Sequence, residues 1–306
     1  MPMGKRMTLT EAIERFVPDG ASIVMGTAME ALIPFAAGHE IIRQKKRDLT
    51  LIGPISDILF DQLIGAGCVK KVVAAWVGNV SGGSAYNLRR AVEEGTPQPL
   101  EMEDHTNFTI ALGLHAAALG VPYLPARTAL GSDIQRGNDH LRSTICPYTG
   151  DRLIAVRAIE PDVAIVHVQR ADEMGNCHLW GNLGVTIDAV RASRRVIITA
   201  EEIVPADVIL SDPNRTLIPG FLVTAVVEQP WGAHPSPVVG YYNRDNDYFH
   251  EYHRETKTRE QFHRWLQRWV LGVRDRSHYL ERLGPDRCAA LRPRRKAPSA
   301  PAEFGY

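Results

Sequence analysis

The sequence predicts an α/β fold: an open, mainly parallel sheet flanked by helices, with a helical C-terminal appendage. Residues 163–168 (VAIVHV) form an uninterrupted apolar run, the pattern of a strand covered on both faces by helices. Short apolar strands alternate with helical stretches through residues 8–77, joined by loops of a few residues, as βα units feeding a parallel sheet do. A length of 306 residues is enough for one large domain of this kind to bury an ample core.

Taken in order, Thr8 and Glu11 stand at capping-box spacing ahead of Ala12, Ile13 and Phe16, so a short helix opens the chain and stops at Pro18-Asp19-Gly20. A strand is expected over 22–26, a helix over 31–46, a strand over 49–53, a helix over 58–64 and a strand over 69–77. Leu100-Glu101-Met102-Glu103-Asp104-His105 then precedes an amphipathic helix over 107–119, ended by Gly120 and Pro122. Residues 120–150, punctuated by Pro122, Pro125, Gly131, Gly137, Pro147 and Gly150, read as a long structured loop of the functional or intersubunit kind. Beyond the central strand, 195–199 reads as a buried strand, 201–204 as a turn and 223–227 as a further strand. Helical spacing at Phe262, Trp265, Leu266, Trp269 and Val270 makes the following segment a helical appendage that packs on the sheet or on a partner. The organisation expected is an α/β domain over 1–243, a helical extension of it over 244–284 and a disordered, basic, Pro/Ala-rich tail over 285–306.

Lys plus Arg equal Asp plus Glu at 35 each, so global charge points neither to nucleic acid nor to a membrane surface. The cysteines Cys68, Cys146, Cys177 and Cys288 stand singly, without the spacing of a zinc site or a redox dithiol. With no signal-peptide core and no apolar run long enough for a membrane span, the expected location is the cytoplasm.

Candidate site residues follow from where loops leave the sheet. In open α/β sheets ligands bind outside the carboxyl ends of the strands, which places Gln169, Arg170, Asp172, Asn176 and His178 beside a substrate. Gly26 in the turn after the first strand, and Gly82 and Gly83 in the loop GNVSGGSAYN after the third, match no dinucleotide or P-loop spacing. They are either plain turns or backbone that faces an anionic ligand in another way. Ser132 lies beside a glycine turn in the long loop, where Arg127 and Arg136 read as surface charge. The acidic cluster has two readings: its carboxylates complement a helix dipole, or Glu101 and Glu103 share one side of an extended segment and one is a general base with a raised pKa. Glu103 is preferred because it lies nearer the strand-to-helix edge. His178 and His234 read as satisfied polar groups, and His250 with His253 lack a third ligand, so no metal site is expected.

Four segments together carry a family resemblance: PDVAIVHVQRADEMGNCHLWGNLG from Pro161, LEMEDHTNF from Leu100, GVPYLPARTALGSDI from Gly120 and IPGFLVTAVVEQPWGAHPSP from Ile218. In this order they resemble the A (alpha) subunit of family I coenzyme A transferases, the glutaconate CoA-transferase branch in particular. The family's turn after the first strand is G-G-F-like, and Gly26-Thr27-Ala28 departs from it. The resemblance implies transfer of CoA between an acyl-CoA and an organic (di)carboxylic acid through a glutamyl-CoA thioester, with CoA as substrate and no bound cofactor. It also implies a B-subunit partner, because the nucleophilic glutamate belongs to that subunit and its S-E-N-G-type motif is absent here. A related group, the ring-cleaving CoA-thioester hydrolases, uses a glutamate from the segment equivalent to Glu101–Asp104 to activate water. A non-catalytic acyl-CoA-binding member is the third alternative.

Overall fold

A computed structural model of the protein describes residues 4–293. It opens with α1 (Leu9–Phe16), capped as the sequence predicts: Thr8 Oγ1 accepts from the Glu11 amide (3.2 Å) and Glu11 accepts from the Thr8 amide (2.8 Å). Then come β1 (Ser22–Val24), α2 (Phe35–Arg43), β2 (Leu49–Ile55), α3 (Ile58–Gly65), β3 (Val69–Trp76), α4 (Tyr86–Glu94), β4 (Glu101–Asp104) and α5 (Asn107–Ala118). The first α2 turn waits until Pro34 has passed, so that helix is shorter than its apolar pattern suggests.

The second half holds β5 (Tyr123–Ala126), α6 (Asp133–Arg136), β6 (Leu141–Ile145), β7 (Arg152–Arg157), β8 (Val163–Ala171), β9 (Cys177–His178), α7 (Thr186–Ala192), β10 (Arg195–Ile203), α8 (Ala206–Leu210), β11 (Thr216–Ile218) and β12 (Ala225–Glu228). A parallel sheet runs β4-β3-β2-β1-β8-β10-β12, with β9 added antiparallel to β8 and β11 antiparallel to β9. Side chains alternate along β8: Val163 and Ile165 join α1–α3 on one face, while Ala164, Val166 and Val168 join Ile110, Leu114, Ala189 and Val190 of α5 and α7 on the other. Both faces are covered, as the unbroken apolar run implies.

Three expectations are corrected. Residues 120–150 are not one long structured loop, because β5 and β6 within them pair with β7 just beyond in a separate antiparallel sheet of order β5-β7-β6. Its core is only Ala126, Leu141, Ile154 and Val156, so the alternation was too short to stand out among the Pro and Gly signals. Residues 201–203 are strand rather than turn, since Glu202 and Ile203 pair with Arg170 and Ala171 and extend β10. Finally, Pro285–Leu291 forms a helix, α12, where composition suggests disorder, and the rest of that expected tail from residue 294 lies outside the described residues.

The C-terminal helices α9 (Asn246–Glu255), α10 (Arg259–Leu266) and α11 (Arg276–Leu283) bring Tyr248, Phe249, Tyr252, Phe262, Trp265 and Trp269 into the same buried cluster as α2, α3 and the sheet. Phe262 packs so closely on α3 that a Cβ at Gly65 would come within 2.7 Å of its ring. From α12, Arg287 donates to Asp245 at 2.7 and 2.8 Å, and His234 meets the same carboxylate at 2.9 Å and the Tyr279 hydroxyl at 2.8 Å, which satisfies it as expected. Burial pushes His234 down to about 4, so the imidazole is neutral in the fold. Among the described residues no helix is long and apolar enough to cross a membrane.

Because the C-terminal helices share the main core, Phe262→Ala should lower stability by about 3–5 kcal/mol. Urea titration followed by far-UV circular dichroism and by tryptophan fluorescence should give one coincident transition at a lower midpoint. Two separated transitions, with the sheet melting where it does in the wild type, would show instead that the appendage is an independent unit.

Candidate active site

The strand order reverses at β1, which pairs with β2 on one side and with β8 on the other. The crevice at a parallel sheet's carboxyl edge opens at such a switch. The chain closes tightly here: Gly26 sits at φ +66, and a Cβ on it would fall 2.2 Å from Ser56 Oγ and 2.8 Å from the Ile55 carbonyl. From the other half, Val185 N donates to the Thr27 carbonyl (2.8 Å), and the Thr27 and Thr186 hydroxyls lie 2.8 Å apart.

The loops after β1, β2 and β3 converge on one buried guanidinium. Arg244 donates to Asp57 Oδ2 (2.7 Å), to Ser81 Oγ (2.6 Å) and to Asn246 Oδ1, stacks over the Phe249 ring at 3.7 Å, and has Glu30 at 3.7 Å. Burial pushes Asp57 up to about 6 even though Arg244 pulls the other way. Met29, Leu32 and Asp57 all hold positive φ (61°, 56° and 46°), a strain that collects where loops are over-determined by their surroundings.

A second cluster lies at the sheet edge. Glu101 and Glu103 do share one side of β4, as their spacing implies, and Lys71 of β3 bridges them at 3.0 and 2.8 Å. Glu103 Oε1 also meets His105 Nε2 at 2.9 Å and His140 Nδ1 at 2.7 Å. Asn138 donates to the Asp104 carbonyl (2.8 Å) and accepts from the His140 amide (2.8 Å), which fastens the small sheet to this corner. The acids do not act at the start of α5 as the dipole reading expects, because Thr106 caps that helix with Thr109 and its first turn holds no acidic residue. Nor is the Glu103 pKa raised: burial works in that direction, but His105, Lys71 and the His140 charge outweigh it and bring the group down to about 2.

The remaining sequence candidates serve mainly to fasten loops. Ser81 and Gly82 amides donate to the Asn79 side chain (3.0 and 2.9 Å) and Gly83 N to the Asn79 carbonyl (2.6 Å), so these amides are spent inside the turn. Ser132 Oγ donates to the Ala129 carbonyl (2.8 Å). Gln169 donates to the Trp180 carbonyl (2.8 Å), Arg170 donates to Glu202 (3.1 Å), and Asn176 joins Asp172 (2.7 Å) to the Gly220 amide (2.8 Å). His178 donates to the Ile209 carbonyl (3.0 Å), and His253 lies against Tyr86, whose hydroxyl is 3.2 Å away. Among the described residues no group of three or more His, Cys, Asp and Glu is placed to hold a metal ion. The sequence reading missed Lys71, His140, Asp57 and Arg244. For Lys71 a signal existed, since Lys70 and Lys71 are two adjacent charges in a strand that is apolar apart from them. For the others the contacts span up to 187 residues, as between Asp57 and Arg244, and leave no local pattern.

A family profile described as coenzyme A transferase matches residues 6–229. The A subunit of 3-oxoadipate CoA-transferase from Pseudomonas knackmussii is 41% identical over 281 residues, 92% of this chain and 99% of that one. The A subunit of glutaconate CoA-transferase from Acidaminococcus fermentans is 35% identical over 95% of each chain. The crystal structure of glutaconate coenzyme A-transferase from that organism superposes with a TM-score of 0.89 at 34% identity, over 94% of this chain and 96% of that one. The cholesterol ring-cleaving hydrolase IpdA subunit of Rhodococcus jostii is 29% identical over 89% of this chain and 93% of its own.

The Glu103 cluster makes a pH prediction. With its folded value about 2 against an ordinary 4.5, Glu103 contributes stability that is full above pH 4.5 and is lost as pH falls towards 2. Its size should be about 3 kcal/mol at neutral pH. Unfolding free energies from urea titration should therefore differ between wild type and Glu103→Gln near neutrality and converge as the solution is acidified. A difference that stays constant across this range would locate the effect in packing and not in the carboxylate.

Proposed function

The chain belongs to the coenzyme A transferase family, and on that premise we propose that it is the A subunit of an enzyme that moves CoA between an acyl-CoA thioester and a dicarboxylic acid. The nucleophilic glutamate in this reading is supplied by a separate B subunit. The observation that carries it is the end-to-end match, 41% identical over 99% of its length, to the A subunit of 3-oxoadipate CoA-transferase. Glutaconate, named for the second relative, is likewise a dicarboxylic acid.

The geometry supports transfer over hydrolysis. A general base works best with a pKa near the working pH. Glu103, held near 2 by His105, Lys71 and His140, is a persistent carboxylate but a feeble base. Its fitting role is to fix Lys71 and the two imidazoles at the far edge of the sheet, while the partner's glutamate forms first an anhydride with the acyl group and then a thioester with CoA. In the hydrolase reading the same carboxylate takes a proton from water, and its pKa is poorly matched to that.

The purified chain should transfer no CoA alone and should do so once its B subunit is added. In the reconstituted pair, Glu103→Gln should lower kcat less than tenfold and leave the partner's glutamyl-CoA intermediate trappable with borohydride. A fall of about 10²- to 10⁴-fold, the usual worth of a positioned base, would favour the hydrolase reading. Turnover by the single chain with an adduct on one of its own carboxylates would refute the division of labour between two subunits.

A further inference from the structure

The small sheet turns one face to solvent, and that face carries an aromatic ring and two arginines. Cross-strand register sets Tyr123 opposite Arg157, and both Pro125 and Arg142 opposite Ala155. Alternation therefore puts Tyr123, Arg157, Ala155 and Arg142 on the side opposite Leu141, Ile154 and Val156, which are buried. A cavity of about 320 Å³ lies on the open side, walled by Tyr123, Asp139, His140, Arg142 and Arg157.

Its charges are unbalanced. Arg142 donates through Nε only to the Asp139 main-chain carbonyl (3.2 Å), and Arg157 touches His140 Nε2 at 3.4 Å. Among the described residues neither guanidinium pairs with a carboxylate, whereas Arg127 and Arg136 of the same segment pair with Asp151 and Asp133. Forked guanidinium groups match phosphate bidentately. A half-exposed tyrosine ring on an open sheet face is a stacking platform for a nucleobase. The cavity also adjoins the acidic cluster directly, since its wall residue His140 is the one that meets Glu103 at 2.7 Å.

We propose that this cavity receives the nucleotide end of the CoA thioester, with Arg142 and Arg157 holding its phosphates and Tyr123 stacking on the purine. The inference rests on the CoA-transferase reading, and it goes beyond it by assigning the recognition of CoA's non-reacting end to this chain. The nucleotide is the rigid end of CoA, separated from the reacting sulfur by the length of the pantetheine arm. Binding energy gained there anchors the substrate while the flexible pantetheine arm carries the thioester towards the crevice.

The test uses the reconstituted pair of subunits. Arg142→Gln and Arg157→Gln should each raise KM for the acyl-CoA about tenfold, the worth of one lost charge-assisted contact, with kcat and the KM for the acid little changed. Removing the 3′-phosphate from the CoA substrate should weaken the wild type but add nothing in the double variant. Arg127→Gln, which alters a paired arginine outside the cavity, should leave KM as it is. Calorimetric titration with adenosine 3′,5′-bisphosphate should show binding to the wild-type pair and none to the double variant. If the wild-type pair binds the bisphosphate in this way yet transfers no CoA, the transferase reading fails and the nucleotide site stands. If transfer is normal and neither KM nor bisphosphate affinity moves in the variants, the site is wrong and the transferase reading stands. Competition by inorganic phosphate as strong as that by the bisphosphate would mean an anion site without nucleotide recognition and would also overturn the assignment.

Discussion

Everything near the crevice depends on how the two halves of the parallel sheet are joined. The join is β1, a strand of three residues whose register with β8 extends over only Ile23 with Val163 and Val24 with Ala164. Such a seam is too short to fix the halves by ladder hydrogen bonds alone, so side chains and loops complete it. At the amino end, Asp162 accepts from the Ser22 amide (3.0 Å) and hydroxyl (2.8 Å). At the carboxyl end, glycine is required on both sides, at Gly26 against Ser56 and at Gly184, where a Cβ would fall 2.1 Å from the Thr27 carbonyl. The seam is thus also the switch point of the sheet, and close packing at its carboxyl end holds the two halves together.

A different principle governs the far edge of the sheet. Among the described residues β4 has no neighbour beyond it, and an edge strand with three carboxylates in four residues would repel itself if left bare. Lys71 offsets that charge and the imidazoles of His105 and His140 hydrogen-bond the central carboxylate; they come from β3, from the turn into α5 and from the stretch entering the small sheet. Because three separate elements contribute, the position of each is coupled to the others. The carboxylate at their centre is more valuable as a fixed negative charge than as a group that takes up protons, which is why its environment lowers its pKa while burial alone would raise it.

How much of this was legible in the sequence depends on how far apart the interacting residues lie. The cap of α1, the unbroken apolar strand β8 and the pairing of Glu101 with Glu103 on one side of a strand are local patterns, and each is present as read. The small sheet was hidden because its strands carry only a few core residues among Pro and Gly, which speak for loops when taken one at a time. Glu201 was misread for a related reason: a carboxylate at the end of an apolar run suggests a turn, yet here it is buried against His167 (2.7 Å) and the Tyr242 hydroxyl (2.6 Å), partners that no local pattern announces. The direction of the Glu103 pKa shift was not readable, since neighbouring carboxylates in sequence argue for a rise, while the geometry of the His105 hydrogen bond and the approach of Lys71 and His140 appear only in the fold.

Arg244 shows what such long-range contacts do for the site. A buried guanidinium paired with a buried carboxylate, as Arg244 is with Asp57, is a poor source of net stability, because taking both charges out of water costs about as much as their attraction returns. Its location suggests another use. One planar group with several donors reaches the loops after β1, β2 and β3 at once and stacks on Phe249 from α9, so these loops cannot rearrange one at a time. The positive φ at Met29, Leu32 and Asp57 fits this account, since strained backbone persists only where the surroundings leave no alternative. The C-terminal helices therefore do more than cover the sheet: α9 and the segment before it supply the group that holds the carboxyl-edge loops in register with one another.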